Sequence, residues 1–284
     1  MDKNFFLKKK NIFIFVLTII ILFVSFNPTS ITKKIAILEI DGVIKNPKAY
    51  LASIDKIKND SSIKGLIIRI DSPGGTVGSS QEIYNSLLDL SSKIPVVSSI
   101  VDIGASGGYL IACGSSYIFA NSGSITGSIG VISQYYDFSE LIKFLRFDID
   151  IVKSGAMKDI GNPAKSLSSK EKKLLNILIQ DVHNQFKSVV KERRKLNDKE
   201  INSVSDGRIF SGNQALNLKL IDEIGGLNAA KSYIEKEIGI ADLDLEYFPK
   251  KEKKLLEKLL PFINASEFNS FFDKKFYFLY TPNF

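Results

Sequence analysis

Residues 63–75, IKGLIIRIDSPGG, and residues 95–109, PVVSSIVDIGASGGY, share one construction. In each, a β-branched apolar run suited to a buried strand stops at a cluster of glycines and small residues. A helical pattern follows each cluster: residues 79–92 place Ile83, Leu87, Leu88 and Leu90 in one stripe, and 108–114 read as a short helix. Upstream, residues 35–41 (IAILEID) read as a strand closed by Gly42, and 50–60 as a helix with Leu51, Ile54 and Ile57 on one side. Downstream come a strand at 117–120, a Gly/Ser loop at 122–130 and a further expected strand at 149–153. Strand, turn and helix repeated at this spacing predict an α/β fold of βαβ units with substantial parallel pairing.

The second half is helical. Ser168-Ser169-Lys170-Glu171 spells a capping box that opens a long helix running to about Leu196, with Leu174, Leu175, Leu178, Val182, Phe186 and Val189 at helical spacing. Helices are expected at 211–219 and 226–238, and a strand at 243–248. Lys250–Lys254 is a charge cluster of the kind found in solvated turns, and the aromatic tail from residue 262 has no placeable pattern.

Composition excludes several chemistries. The chain has 284 residues and a net charge of +7, but Lys3, Lys8, Lys9 and Lys10 against Asp2 account for +3 of it. The rest is dispersed, without the basic face or recognition motif of a nucleic-acid-binding protein. Cys113 is the only cysteine, so neither an intramolecular disulfide nor a cysteine zinc site can form. His183 is the only histidine, which rules out a Ser-His-Asp triad unless that residue is its base. It lies mid-helix among Asp181, Gln185 and Lys187, a structural setting. No metal or cofactor is expected.

The N-terminus reads as an address. After the lysines, residues 12–26 are apolar apart from Thr18 and Ser25, and Asn27-Pro28 stops the run. Fifteen helical residues span roughly 22 Å, short of the ~30 Å hydrocarbon core. A cleaved signal peptide would end in small residues, and Val24, Phe26 and Asn27 stand there instead. Residues 1–30 are therefore read as an uncleaved single-pass anchor, its lysines cytoplasmic and the remainder outside the cytoplasm. The expected division is 1–30 anchor, 31–248 catalytic domain and 249–284 a tail of unassigned role.

Two loops suggest chemistry. Asp71-Ser72-Pro73-Gly74-Gly75 can turn with backbone N–H groups exposed, as an oxyanion hole requires, though a lone Pro-Gly-Gly is also an ordinary turn. Ser106, between Ala105 and Gly107-Gly108 at a strand-to-helix turn, has the setting of an exposed nucleophile, or of a helix N-cap. Lys158 and Asp159 lie in the glycine-flanked stretch 155–161, and a desolvated lysine there could serve as base. Residue chemistry alone does not single out Lys158.

The run D-S-P-G-G at 71–75, A-S-G-G-Y at 105–109, S-I-T-G-S-I-G-V at 124–131 and S-G-x-x-K-D-I-G at 154–161 resemble the signal peptide peptidase A family. So do D-G-R-I-F-S-G-x-Q-A at 206–215 and L-I-D-E-I-G-G at 220–226, in family order over about residues 36–248. The resemblance implies a Clp-protease- and crotonase-like spiral fold, Ser106 as nucleophile, Lys158 as general base and Ser128 as the group orienting the lysine. Gly74 or Gly75, with Gly107, would supply the oxyanion N–H groups. It further implies a homo-oligomeric ring, and as substrates remnant signal peptides and unstructured polypeptides, at the bacterial cytoplasmic membrane. Two departures stand out: Asp102-Ile103-Gly104 where small residues are usual, and Lys219 where glycine is usual. Two rival functions are weaker. A crotonase-type acyl-CoA enzyme would be cytoplasmic and need no Ser106, and an inactive peptide-binding scaffold has no reason to keep Ser106, Ser128 and Lys158 together.

Overall fold

The computed structural model describes residues 32–249 and the backbone of 277–279. The expected anchor at 1–30 lies outside the described residues, as does most of the tail. No helix among the described residues is long and apolar enough to cross a membrane.

The chain begins with strand β1 (Lys34–Asp41), helix α1 (Lys48–Asn59), strand β2 (Ile63–Ser72), the short β3 (Gly74–Thr76) and helix α2 (Val77–Ser91). Strand β4 (Val96–Ala105) runs into helix α3 (Gly107–Ala112), followed by β5 (Tyr117–Ala120) and β6 (Ile125–Gly127). A long excursion from residue 128 to 168 contains only helix α4 (Ser139–Phe144). Then come α5 (Ser169–Arg193), α6 (Asp198–Val204), β7 (Ile209–Ser211), α7 (Gly212–Asn217), β8 (Glu223–Ile224), α8 (Leu227–Ile238), β9 (Asp244–Phe248) and β10 (Tyr277–Leu279).

One mixed sheet runs β7-β6-β4-β2-β1-β9, with β5 on β4 and β8 on β5. All its pairings are parallel except β6 with β7. Strand β4 is its pivot: Val97–Ile100 pair with β5, and Ile103–Ala105 with β6. Side chains alternate across a strand, so each strand divides between two cores. Leu38, Leu66, Ile68, Ile70 and Ile100 pack with Ile57, Ile83, Leu87, Leu110 and Phe186 from α1, α2, α3 and α5. On the opposite face Ile35, Ile37, Ile67, Val97 and Phe119 meet Ala230 and Ile234 of α8. Burial on both faces explains why these strands read as continuous apolar runs rather than alternating ones.

The capping box expected at α5 forms: Glu171 N–H donates to Ser168 Oγ at 3.3 Å and Ser168 N–H to Glu171 Oε2 at 2.8 Å. The strand expected at 149–153 does not form. Those residues are irregular, and Ile149, Ile151 and Val152 are exposed. A β-branched run gains from extended backbone only where a strand edge is available to pair with it, and none reaches this segment. Strand β6 occupies part of the Gly/Ser loop expected at 122–130, and helices α4 and α6 had no expectation.

Lys219 has φ +60°. It is held left-handed by its N–H to Leu216 O at 3.0 Å, just past α7. An L side chain there costs about 1 kcal/mol relative to glycine. The exposed ion pair of Lys219 Nζ with Glu200 at 2.7 Å returns part of that. Lys219→Gly is expected to raise the thermal midpoint by about 1–3 °C, measured by calorimetry, with activity unchanged.

Candidate active site

The ends of three neighbouring strands, β2, β4 and β6, converge. Ser72 pairs with Gly104, and Ala105 with Gly127. The next step of each chain brings Ser106 beside Ser128, with Ser106 N–H donating to Gly127 O at 2.8 Å. Ligands of parallel α/β sheets sit at this carboxyl end of the strands. Ser106 has φ +52° and ψ −116°, and Ser128 has φ +51°. A non-glycine residue held in such a conformation costs on the order of 1–3 kcal/mol and persists where surrounding structure imposes it.

What imposes it is contact too close for side chains. A Cβ on Gly108 would lie 2.8 Å from Ser72 O, so α3 sits directly on the loop after β2. A Cβ on Gly75 would lie 2.0 Å from Ile44 O. Ser128 N–H donates to Arg208 O at 2.8 Å, and Arg208 is paired with Asp206, so the Asp206-Gly207-Arg208 turn serves as a brace for the Ser128 loop.

Ser106 is 1% exposed, and its Oγ is the only buried side-chain polar atom without a hydrogen-bond partner among the described residues. Buried hydroxyls are ordinarily satisfied. This one is therefore available to a reacting group. Gly107 opens α3, so its N–H has no partner within the helix. Of the two other oxyanion candidates, Gly74 N–H donates to Ser72 Oγ at 3.1 Å. Gly74 O and Thr76 N–H both bond Ile44, which turns the polar groups of Gly75 toward the opposite edge of β3. Strand β10 lies along that edge, antiparallel, with Phe278 opposite Gly75.

Lys158 stands apart from this cluster. It is exposed, and within one chain no hydrogen bond joins it to Ser106. Its loop is a succession of turns, with Lys158 N–H to Gly155 O at 3.0 Å and Asn162 N–H to Asp159 O at 3.0 Å. The same excursion bares a run of apolar side chains: Phe144 is 81% exposed and Phe147 65%, beside Leu141, Leu145, Ile149, Ile151 and Val152. No sequence signal separated this surface from core, because its apolar content is that of a buried segment.

Neither His183 nor Cys113 is hydrogen-bonded to Ser106. His183 Nε2 lies 3.2 Å from Ile129 O, tying α5 to the Ser128 loop. Burial pushes the Cys113 thiol up to about 11, which leaves it an inert packed group. No group of three or more His, Cys, Asp or Glu residues that could hold a metal occurs among the described residues.

A strained, unpartnered serine beside the Gly107 N–H, which has no partner within its helix, at the carboxyl end of a largely parallel sheet, is the arrangement an acyl-transfer hydrolase requires. Residues 89–241 match the family described as Peptidase family S49. A candidate protease of Synechocystis is 42% identical over 75% of this chain and 77% of its own length. A candidate signal peptide peptidase of Enterococcus faecium is 33% identical over 74% of this chain and 65% of its own. A candidate protease of Methanocaldococcus jannaschii is 31% identical over 74% and 68% respectively. The chain belongs to peptidase family S49, and it is a serine peptidase.

Gly108→Ala must push α3 away from Ser72 O. We expect a loss of about 100-fold in kcat, read with a fluorogenic peptide, from a protein that still folds and shows the parent circular dichroism.

Proposed function

We propose that the protein is a membrane-anchored endopeptidase that degrades remnant signal peptides and unstructured polypeptides with a Ser106–Lys158 dyad. The observation that carries this reading is the buried, unpartnered Ser106 Oγ in a strained turn. Neutral Lys158 takes the Ser106 proton as Oγ attacks the substrate carbonyl carbon. The oxyanion is held by Gly107 N–H and one of Gly74 or Gly75. The lysine ammonium then protonates the leaving amine, the C–N bond breaks, and an acyl ester remains on Ser106. Lys158 next deprotonates a water, which attacks the ester, and the carboxylate product leaves as the proton returns to Ser106. Ser128, beside the nucleophile, orients the lysine.

The pairing of β10 with Thr76–Gly74 supports an extended peptide as substrate, since it displays β3 as an edge that accepts an added strand next to Ser106. The spiral architecture, the residue 1–30 anchor and an extracytoplasmic catalytic domain complete the reading, with no cofactor and no nucleic-acid partner. The exposed apolar run at 141–152 supports a homo-oligomeric ring. An apolar surface of this kind is normally covered, and a second copy seated there would also exclude water from Lys158.

The first test follows cleavage of an apolar fluorogenic peptide against pH. The parent should be active, with activity rising through an alkaline pKa, and Ser106→Ala and Lys158→Ala should be inactive. Three folded, equally inactive proteins would point instead to a peptide-binding scaffold.

The second test is assembly. Phe144→Asp with Phe147→Asp is expected to shift the sedimentation coefficient to that of a smaller species and to lower activity at least tenfold. A parent that already sediments as a monomer with full activity overturns the ring.

A further inference from the structure

The loop carrying Lys158 has few buried side chains of its own, yet the residue next to the lysine is anchored on both sides. The Asp159 carboxylate is only 11% exposed and binds two ammonium groups: Oδ1 accepts from Lys153 Nζ at 2.6 Å, and Oδ2 meets Lys165 Nζ at 3.1 Å. Lys165 Nζ also donates to Glu171 Oε1 at 2.8 Å, and Glu171 is 3% exposed. The second carboxylate oxygen of Glu171 accepts from Ser168 N–H at 2.8 Å and Ser168 Oγ at 2.7 Å, closing the α5 cap. The chain of contacts therefore runs Lys153, Asp159, Lys165, Glu171, from the base loop into the first turn of the longest helix.

That helix is tied at its other end to the carbonyls just past α3, the helix that begins after Ser106. Arg193 Nε donates to Cys113 O at 2.9 Å and its terminal nitrogen to Ser115 O at 3.0 Å, just past α3. One rigid element thus spans the two halves of the dyad. Gly161, at φ +70°, adds a steric stop, since a Cβ there would lie 2.3 Å from the Tyr135 ring.

We propose that Asp159, through Lys165 and Glu171, is the positioning residue of the general base, holding the Lys158 turn in register with α5. This rests on Lys158 being the base, and it holds whether Lys158 serves the Ser106 of its own chain or of another copy. A solvent-exposed ion pair would be worth little, but these carboxylates are largely buried and shared, so removal of one partner leaves a charge unmatched. The cations draw the Asp159 carboxyl below its ordinary range, and Lys165 with the Ser168 cap brings Glu171 down to about 2. Both carboxylates therefore remain charged at neutral and alkaline pH.

The experiment compares the parent with Lys158→Ala, Asp159→Ala, Lys165→Met and Lys165→Arg in full-length protein. It measures kcat and KM for an apolar fluorogenic peptide against pH, and the thermal midpoint alongside. Asp159→Ala and Lys165→Met are expected to lower kcat about 10- to 100-fold, the scale of a misplaced catalytic group, with KM within about twofold and the alkaline limb displaced. Lys165→Arg should recover most of the loss, because a guanidinium can bridge the same two carboxylates. Parent-like kcat and pH limb in Asp159→Ala and Lys165→Met, with Lys158→Ala inactive, would overturn the positioning role alone. So would a loss that tracks the thermal midpoint while the pH limb stays in place. An active Lys158→Ala would remove the base assignment, and the positioning role with it.

Discussion

Everything at this site depends on how closely α3 approaches the loop that ends β2. Gly108 sits against Ser72 O with no room for a Cβ, and Ser106 N–H is held by Gly127 O on the other side. Between those contacts the Ser106 backbone holds a positive φ. The strain is supported by the sheet itself: Leu66–Ile70 of β2 and Val96–Ile100 of β4 pair in register just before the loops, with both faces buried. A strained turn placed on a rigid parallel sheet keeps its hydroxyl where it is, which a flexible loop could not do.

The helical second half acts as bracing for these loops. His183 reaches Ile129 O beside Ser128, and Arg193 caps the carbonyls behind α3. Arg194, whose side chain is 8% exposed, pairs with Asp222, and Asp222 in turn accepts Ile118 N–H of β5. The His183 and Arg193 bonds join the helix directly to backbone carbonyls, and Arg194 reaches β5 through the Asp222 carboxylate. Deleting one partner would leave a buried polar group unmatched, which costs more than an exposed pair could return.

The parallel core was legible in the sequence because its strands are buried on both faces and so read as unbroken β-branched runs closed by glycine. The same rule misfired at 149–153, where the identical residue types lie exposed with no strand edge to pair against. Composition records that Ile149, Ile151 and Val152 avoid water; it does not record what covers them. Short elements such as β6 and β8 are created by their partners rather than by their own two or three residues, so they left no trace of their own. At the site, Ser106 and the glycines were visible from turn chemistry, whereas Lys158 and Ser128 were assigned through the resemblance. The Asp159–Lys165–Glu171 chain joins residues 6 apart at each step across two turns and a helix cap, a spacing with no periodic signature.

The two halves of the proposed dyad stand in opposite physical situations, and that contrast carries an argument about when the enzyme is competent. The serine half is buried and strained, its Oγ unpartnered, with the Gly107 N–H beside it free of any partner within its helix. The proposed lysine half is exposed, in the same excursion of the chain that bares Phe144, Phe147 and Val152. A lysine serves as base only when neutral, and neutrality at moderate pH requires that water be excluded from it. Under the proposed dyad, a second copy seated on the exposed apolar run would have to shield Lys158 as well. On the proposed dyad and ring, the chain would be inactive alone and competent once that surface is buried, so that folding alone would not release proteolysis.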